Sequence, residues 1–253
     1  MTAPTALLTT LDHGVLSLML NRPEKRNALD ATTIAALTAA LERADLDAGV
    51  RVVALRGAGK DFCAGADLGE LLASVDQSME ENERSARTLG DIFLKIRQLP
   101  KPVVAIVQGR ALAGGAGLAT ACDMVLAAES ASFGFPEIQR GFVPAMVLTI
   151  LRRLVGERVA FDLVATGRLL TAREAAAQGL ISRMVPDAEL EQRAAELLAQ
   201  LAGSSSSALG LIKRLVDELD GKDFAEGIAL GARANALARA HDDFRTAVRA
   251  FLK

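Results

Sequence analysis

Two glycine-rich segments, residues 57–69 and 109–117, are best suited to bring backbone atoms close to a ligand. Neither segment has the spacing of a phosphate-binding loop. In the first, Ala54 stands where a P-loop has its first glycine, and Asp61 stands where it has serine or threonine. In the second, Thr120 occupies the third glycine position of a dinucleotide-binding turn. The two segments are therefore expected to serve another chemistry, or only to let neighbouring elements pack closely.

Missing residue types exclude several other chemistries. The chain has no tyrosine, which excludes the short-chain dehydrogenases, although they have a similar length. The only histidines, His13 and His241, are too few for a histidine-rich zinc site or a His-Glu-x-x-His protease. The two cysteines, Cys63 and Cys122, are far apart and have no metal-ligand spacing. They predict a reducing compartment, no disulfide framework and no metal site.

Composition and charge predict a globular chain with a sizeable core. Of 253 residues, 51% are hydrophobic, 29 are Lys or Arg and 31 are Asp or Glu, which gives a net charge of −2. This length suggests one large domain or one and a half, and the near-neutral charge argues against nucleic acid as a partner. No uncharged run approaches the roughly 18 residues of a membrane span. Because the first cationic side chain is Arg22, no basic signal-peptide region is visible, and we expect a cytoplasmic protein.

Short apolar runs alternate with helical patterns along the chain. Strands are predicted over residues 15–20, 52–55, 103–107, 124–127 and 181–185. Helices are predicted after an N-cap at Asp30, before Pro100, from Gly114, over 145–154 and 158–166, and after the capping box at Thr171–Glu174. The order predicts an α/β core over residues 1–200 and a C-terminal helical segment over residues 201–253.

Five segments, in order, carry a resemblance to a known family. They are NRPEKRNAL at 21–29, GAGKDFCAGADL at 57–68, KPVVAIVQG at 101–109 with Gly114 and Gly115, Cys122–Asp123, and FGFPE at 133–137. Together they resemble the enoyl-CoA hydratase/isomerase (crotonase) family over nearly the whole chain. The resemblance implies a crotonase-like spiral of ββα units. It also implies that the C-terminal helical segment packs homotrimers, which are often paired into hexamers.

The resemblance implies a coenzyme A thioester as the substrate, with no separate cofactor. Two backbone N–H groups would hold the thioester oxygen as it becomes an enolate, and family matching places them at Ala66 and Gly114. The residue types agree with this role, because Gly65 leaves room for a ligand beside Ala66. The N–H of Gly114 lies at a predicted helix start, where it is unpaired and near the positive end of the helix dipole. The alternative is that these glycines only permit close packing.

One catalytic carboxylate is implied at Glu137, and a second is missing. Family hydratases use two glutamates, and the position of the other one is Gly117 here. Glu137 alone could move a proton between C2 and C4 of an enoyl-CoA, or could hydrate it if water is held in another way. The neighbouring Phe133 and Phe135 predict partial burial of Glu137, which would raise its pKa. Among other acids, Asp67 is expected to cap a helix, and Glu70 could face the pocket.

Further residues are implied in substrate binding. Lys25 and Arg26 would bind coenzyme A phosphates, or would form an ordinary solvated loop, and Lys253 or Arg249 could contribute to the phosphate site. The resemblance implies that Asn27, Ala28 and Leu29 line the path of the adenine and pantetheine groups, and that Ala64, Asp67 and Leu68 also bind the substrate. The candidates for the acyl pocket or the core are Phe142, Met146, Leu148 and Phe161. Of these, Phe142 and Met146 are the better candidates for the pocket, although spacing alone favours the core for such apolar residues.

Three functional hypotheses follow. The first is an acyl-CoA lyase or isomerase that most simply hydrates a 2-enoyl-CoA to a 3-hydroxyacyl-CoA, with a Δ3,Δ2-enoyl-CoA isomerase as the alternative. The second is a non-catalytic acyl-CoA-binding protein, because the second carboxylate is missing. A peptidase is disfavoured, since no serine–histidine pair falls in the motifs.

Overall fold

Strands and helices alternate along the chain in the computed structural model, which describes residues 5–252. The strands are β1 (Leu7–Asp12), β2 (Val15–Leu20), β3 (Val52–Gly57), β4 (Val103–Val107), β5 (Arg110–Leu112), β6 (Met124–Ala128), β7 (Ser132–Gly134), β8 (Leu169–Thr171) and β9 (Arg183–Val185). The helices are α1 (Ala31–Leu46), α2 (Leu68–Ala73), α3 (Met79–Gln98), α4 (Gly114–Ala121), α5 (Ala145–Thr166), α6 (Ala172–Ala177), α7 (Leu190–Gly203), α8 (Ser206–Glu218), α9 (Phe224–Ala240) and α10 (Asp242–Phe251).

A six-stranded sheet forms the centre of the core, with the order β1-β2-β3-β4-β6-β9. The β1–β2 pair is antiparallel, and the other neighbours are parallel. Every residue of β4 is buried. A parallel strand that is covered on both faces has a continuous run of apolar residues in its sequence. The sequence VVAIV at 103–107 is such a run, and it therefore predicts β4 clearly.

A smaller sheet, β5-β7-β8, receives the second strand of each repeating unit. In the unit β4–β5–α4, and again in β6–β7–α5, the first strand joins the large sheet and the second joins the small one. These repeated ββα units confirm the predicted spiral. The parallel register of β5 and β7 sets Leu112 opposite Gly134, so the residues that follow these two strands are neighbours.

Most predicted elements are present, with local differences. Asp30 caps α1 through a hydrogen bond from the Thr33 N–H, and the capping box at Thr171 is formed. The helices predicted on either side of residue 156 are joined as α5, but Gly156 interrupts them with φ +77°. The strand predicted over 181–185 is shorter than expected, because it begins at Arg183.

The C-terminal segment is helical and rests on the core with few buried side chains. The predicted boundary at residue 200 lies inside α7, whose Leu197 and Leu198 are buried, and the change in burial follows Gly203. Helices α8, α9 and α10 contain no buried residue in the described chain. One firm attachment is Lys213 of α8, whose Nζ lies 2.7 Å from Asp123 Oδ2. Among residues 5–252, no helix combines the length and the apolar character needed to cross a bilayer.

Candidate active site

The two glycine-rich segments meet through their backbones. Cys63 and Ala111 form an isolated parallel bridge. In it the Cys63 N–H donates to the Arg110 carbonyl at 3.1 Å, and the Cys63 carbonyl accepts from the Leu112 N–H at 2.9 Å. A Cβ atom added to Gly115 would lie 2.3 Å from the Cys63 carbonyl oxygen. Glycine is therefore required at this crossing, because only glycine permits so close an approach.

The second segment ends in a strained turn that starts α4. Ala113 has φ +52° and ψ −128°, a conformation that is uncommon for residues with a side chain. Its N–H donates to the Gly134 carbonyl at 2.8 Å, which ties the turn to β7. Such strain persists only where the surroundings enforce it, and it is frequent at functional sites. Here it sets the direction of Gly114, the first residue of α4.

The N–H groups of Ala66 and Gly114 lie close together and have no protein acceptor in the described part of the chain. Ala66 forms a parallel bridge with Leu29, but the hydrogen bonds of this bridge are made by the residues on either side of Ala66. The Leu29 N–H donates to the Gly65 carbonyl at 2.8 Å, and the Asp67 N–H donates to the Leu29 carbonyl at 2.9 Å. The Ala66 N–H therefore faces away from Leu29. A Cβ atom on Gly114 would lie 3.8 Å from the Ala66 nitrogen, so the two donors can serve one oxygen that gains negative charge.

Glu137 supplies a buried carboxyl group shortly after β7, the strand that pairs with β5. It lies in the 3₁₀ turn Pro136–Arg140 that follows β7, next to the strand that leads into Gly114. Glu137 is only 8% exposed, and its Oε2 atom has no hydrogen-bond partner within the described residues. Burial raises the pKa of the Glu137 carboxyl above its ordinary value, against the smaller effects of a backbone hydrogen bond and of Arg140. This confirms the predicted burial, and such a carboxyl is suited to take up and release a proton.

The position of the missing second glutamate is filled by apolar side chains. A Cβ atom added to Gly117 would lie 2.5 Å from Val147 Cγ2 and 3.0 Å from Phe93 Cζ. Val147 is nearly inaccessible to solvent. A glutamate could therefore not replace Gly117 unless Val147 and Phe93 moved or became smaller.

The other candidate acids have structural partners. Asp67 caps α2, as predicted, with Oδ1 accepting from the Gly69 N–H at 2.9 Å. Glu70 does not face the pocket freely, because its Oε2 accepts from the Ala31 N–H at the start of α1, at 2.9 Å. Within residues 5–252, no group of three or more His, Cys, Asp or Glu side chains is placed to hold a metal ion.

The loop that carries Lys25 and Arg26 is held by hydrogen bonds of its backbone and of Asn27, while both cationic side chains are exposed. Arg26 and Asn27 adopt left-handed conformations, with φ +52° and +55°. The buried Asn27 amide donates to the carbonyl oxygens of Ala58 at 2.9 Å and Asp61 at 2.8 Å. Asn27 therefore holds the loop against the first glycine-rich segment, and it leaves the two cations free to meet an anion.

Other predicted binding residues differ in accessibility. Ala28 and Ala64 are half-buried, so they can line a path for a ligand. Leu29 has a buried side chain, and both of its backbone polar groups are used in the bridge to Ala66. Its part is thus to join the loops rather than to offer polar atoms to a ligand. Arg249 is exposed on α10, and Lys253 lies outside the described residues.

The apolar candidates are more exposed than spacing suggested. Phe142 is exposed, and its N–H donates to the Glu137 carbonyl at 3.1 Å. Leu68 is also exposed, and Met146 is half-buried. The expectation that residues of this kind belong to the core is wrong for Phe142 and Phe161. An exposed Phe142 beside Glu137 is available to an acyl chain.

Sequence reasoning missed Arg22. Its guanidinium donates to the Ala28 carbonyl at 2.6 Å and contacts the carboxylates of Asp67 at 3.1 Å and Asp30 at 3.2 Å. One partner is 45 residues away in sequence. The only available signal was the Asn-Arg-Pro motif at 21–23, which says nothing about a partner so distant.

Comparisons with known proteins agree with this architecture. Residues 10–253 match the family described as "Enoyl-CoA hydratase/isomerase". A Thermus thermophilus protein named "Putative enoyl-CoA hydratase" is 43% identical over 239 residues, which are 94% of each chain. The 1,2-epoxyphenylacetyl-CoA isomerase of Escherichia coli is 33% identical over 97% of this chain and 95% of its own. A crystal structure of a Mycobacterium smegmatis enoyl-CoA hydratase has a TM-score of 0.93 at 32% identity, covering 98% of this chain and 96% of that one. The chain thus belongs to the enoyl-CoA hydratase/isomerase family.

Proposed function

We propose that the chain hydrates a 2-enoyl-CoA thioester to the 3-hydroxyacyl-CoA through an enolate. The observation that carries this proposal is the pair of N–H groups at Ala66 and Gly114, which have no acceptor among the described residues, together with the buried carboxyl of Glu137. The two N–H groups donate hydrogen bonds to the thioester oxygen as it gains charge. Fixed donors of this kind typically contribute on the order of 10²–10³ each to the rate. In this proposal the reacting groups belong to the protein, to water and to the coenzyme A thioester, and no separate cofactor takes part.

Glu137 is the acid and base in this proposal. Its carboxylate takes a proton from water as the water oxygen bonds to C3 of the enoyl group. The electron pair of the double bond moves onto the thioester oxygen, where Ala66 and Gly114 hold it. The enolate then collapses, and C2 takes the proton from the Glu137 carboxyl. A raised pKa keeps the proton affinity of this group closer to that of its reaction partners.

The packing at Gly117 favours a second reaction, in which the double bond of an enoyl-CoA moves from C3–C4 to C2–C3. Val147 and Phe93 leave no room there for a second carboxylate that could hold water. A single base can remove a proton from C2 of a 3-enoyl-CoA and return it at C4. The same enolate lies on this path, so the same two donors serve it.

The deciding experiment follows conjugated thioester absorbance with crotonyl-CoA and, separately, with a 3-enoyl-CoA. Loss of absorbance with crotonyl-CoA supports hydration, and a gain with only the 3-enoyl-CoA supports the isomerase. We expect Glu137→Gln to lower turnover by about 10²–10⁴-fold while coenzyme A binding persists. Glu129→Gln, which changes an exposed glutamate, is the matched control and should retain activity. No turnover with either substrate would contradict the proposal and favour a non-catalytic binder. Full activity of Glu137→Gln would contradict the role of Glu137 as the acid and base.

For substrate binding, we propose that Lys25 and Arg26 contact coenzyme A phosphates. Both side chains are exposed on a loop that is fixed by Asn27, and a cationic pair suits a phosphate group. The acyl chain would pass Phe142, Met146 and Leu68, which present apolar surface near the proposed enolate site.

We further propose that the chain assembles as a homotrimer or hexamer through its C-terminal helices. These helices expose several large apolar side chains, among them Phe224, Ile228 and Phe251. Contiguous apolar surface of this kind commonly marks an interface. Two buried thiols that are not paired as a disulfide support a reducing, cytoplasmic location.

A further inference from the structure

We propose that Arg22 is a positioning residue that fixes the Ala66 N–H in the direction needed to hold the enolate oxygen. This inference rests on the proposed function of Ala66 and extends it to a side chain that does not touch the substrate. The observations that carry it are the contacts of one guanidinium group with both segments on either side of the Leu29–Ala66 bridge.

Arg22 joins the starting points of two helices. Asp30 caps α1 with Oδ1, which accepts from the Thr33 N–H at 2.7 Å, and its Oδ2 lies 3.2 Å from Arg22 Nη2. Asp67 caps α2 with Oδ1, and its Oδ2 lies 3.1 Å from the same nitrogen. Each carboxylate therefore uses one oxygen for its helix and the other for Arg22.

The same guanidinium also holds the segment that is paired with Ala66. Its Nη1 donates to the Ala28 carbonyl at 2.6 Å, and the next residue, Leu29, is bridged to Ala66. Segments 28–30 and 65–67 run side by side, and Arg22 contacts residues at the ends of both. The Ala66 N–H belongs to the Gly65–Ala66 peptide, whose carbonyl oxygen accepts from the Leu29 N–H at 2.8 Å. Rotation of this peptide would break that bond, and Arg22 opposes it by holding Ala28 and Asp67 on the two sides of the bridge.

The positive charge of Arg22 also helps to keep the Ala66 N–H in place. The carboxylates of Asp30 and Asp67 converge on one nitrogen, so they would repel each other if the guanidinium were absent. Burial works to raise the pKa of Asp67, but hydrogen bonds from Arg22 and from the Gly69 N–H hold it below its ordinary value. Asp67 therefore stays ionised, and the cation prevents repulsion between the two carboxylates from moving Asp67 and Ala66.

The test compares Arg22→Gln and Arg22→Lys with the wild type. Arg56→Gln is the matched control, because Arg56 is equally inaccessible, 17% exposed against 18% for Arg22, and makes two hydrogen bonds to the Glu191 carboxylate. We expect Arg22→Gln to lower kcat on the better of the two enoyl-CoA substrates by roughly 10²-fold, the typical effect of losing one oxyanion donor. KM should stay within about threefold of the wild-type value, because the substrate-binding groups remain. Arg22→Lys should recover part of the loss, since an ammonium group cannot span all three partners.

A direct readout of the N–H pair is the absorbance of bound acetoacetyl-CoA, which reports the fraction present as enolate. We expect Arg22→Gln to bind this thioester but to hold less of it as enolate, whereas Arg56→Gln should match the wild type. An unchanged enolate fraction in Arg22→Gln overturns the inference, even if kcat falls, because the loss would then be merely structural. If Arg22→Gln does not fold, Asp67→Asn replaces it, since asparagine still caps α2 but loses the charged contact.

The outcomes also separate this inference from the proposed function. A wild type that turns over neither enoyl-CoA but enriches the enolate of acetoacetyl-CoA would contradict the proposed reaction and still test Arg22. A wild type that binds acetoacetyl-CoA only as the ketone would overturn both. If Arg22 acts through Asp67, the Arg22→Gln/Asp67→Asn double variant should lose no more activity than Arg22→Gln alone. If the activity loss of the double variant instead equalled the product of the two single losses, Arg22 would not act through Asp67.

Discussion

At the scale of single residues, Glu137 combines chemical usefulness with a cost to the fold. Its carboxyl is buried, and Oε2 has no hydrogen-bond partner in the described chain. A buried polar group without a partner typically costs about 1–3 kcal/mol, and more when it is charged. The environment that raises the pKa of Glu137 therefore also destabilises the folded protein whenever the group is ionised.

We expect Glu137→Gln to increase the free energy of unfolding by about 1 kcal/mol at mildly alkaline pH, because a neutral amide costs less to bury than a carboxylate. Since the folded-state pKa is raised, the folded protein binds this proton more tightly than the unfolded chain does. The penalty in the wild type is therefore absent below the ordinary pKa of 4.5 and complete above the raised value. Urea unfolding in acidic and alkaline buffers measures the difference, with Glu129→Gln as control. A gain that is equal at both pH values would contradict the explanation.

The sequence predicted individual site residues where a local pattern determined their surroundings. The burial of Glu137 could be predicted because Phe133 in β7 and Phe135 just after that strand are apolar residues that pack into the core. The contacts of Arg22 could not, since they depend on Asp67, which approaches only when the chain has folded. Spacing alone favoured the core for Phe142, because an isolated apolar residue looks the same in sequence whether it is covered or open to a ligand.

At the scale of secondary-structure elements, the site depends on how closely α4 packs against its neighbours. Its eight residues are all buried, and two of its glycines face different obstacles. The Cβ position of Gly117 is opposed by side-chain atoms of Val147, whereas that of Gly115 is opposed by the Cys63 carbonyl oxygen. A side chain can be shortened by mutation, but a backbone carbonyl cannot.

This difference predicts opposite responses to a second substitution. We expect Gly117→Ala to destabilise the fold by about 1–3 kcal/mol through overpacking, and Val147→Ala to relieve much of that loss when the two are combined. Gly115→Ala should be at least as damaging, and Val147→Ala should not rescue it. Thermal unfolding of the single and double variants measures both couplings. Equal rescue of Gly115→Ala and Gly117→Ala would show that the packing at α4 is not local.

Long elements could be predicted from the sequence more easily than short ones. The apolar run of β4 and the helical spacing of Leu89, Ile92 and Ile96 in α3 are strong signals. By contrast, β1 was not predicted, because five of its six residues are exposed and it lies at the edge of the sheet. Strands β5, β7 and β8 have three residues each, which is too short for a period to be visible. Pairing in the spiral, rather than propensity, makes them strands.

At the scale of the whole molecule, the C-terminal helices have apolar side chains that the core does not cover. Phe224 is 87% exposed and Ile228 is 62% exposed, one turn apart on α9. The segment is nevertheless anchored, because Lys213 also donates to the carbonyl oxygens of Ile96 and Lys101. Burial raises the pKa of Asp123 and lowers that of Lys213, and their mutual attraction opposes both effects. The segment is thus held in one place while its outer face stays open.

We expect the Phe224→Asp/Ile228→Asp double variant to shift the protein from an oligomer to a monomer at micromolar concentration. A charge placed in an apolar interface must be desolvated, which opposes association. Sedimentation velocity measures the assembly state directly. Leu46→Asp is the control, because Leu46 is also 87% exposed but lies at the end of α1, outside the C-terminal segment. A wild type that sediments as a monomer, or a double variant that still assembles, would contradict the proposed interface.

The bridge between Cys63 and Ala111 also allows the opening of the site to be measured by chemical labelling of Cys63. Burial raises the pKa of the Cys63 thiol to about 12, and its Sγ atom is hydrogen-bonded to the Asn27 carbonyl, so a thiol reagent cannot react while the bridge is closed. The chain's other cysteine, Cys122, is equally inaccessible and can be replaced by alanine. In the Cys122→Ala variant, the labelling rate of Cys63 would then report how often the glycine-rich segments 57–69 and 109–117 separate. Because Ala66 lies three residues further along the chain, that rate measures the lifetime of the binding geometry itself.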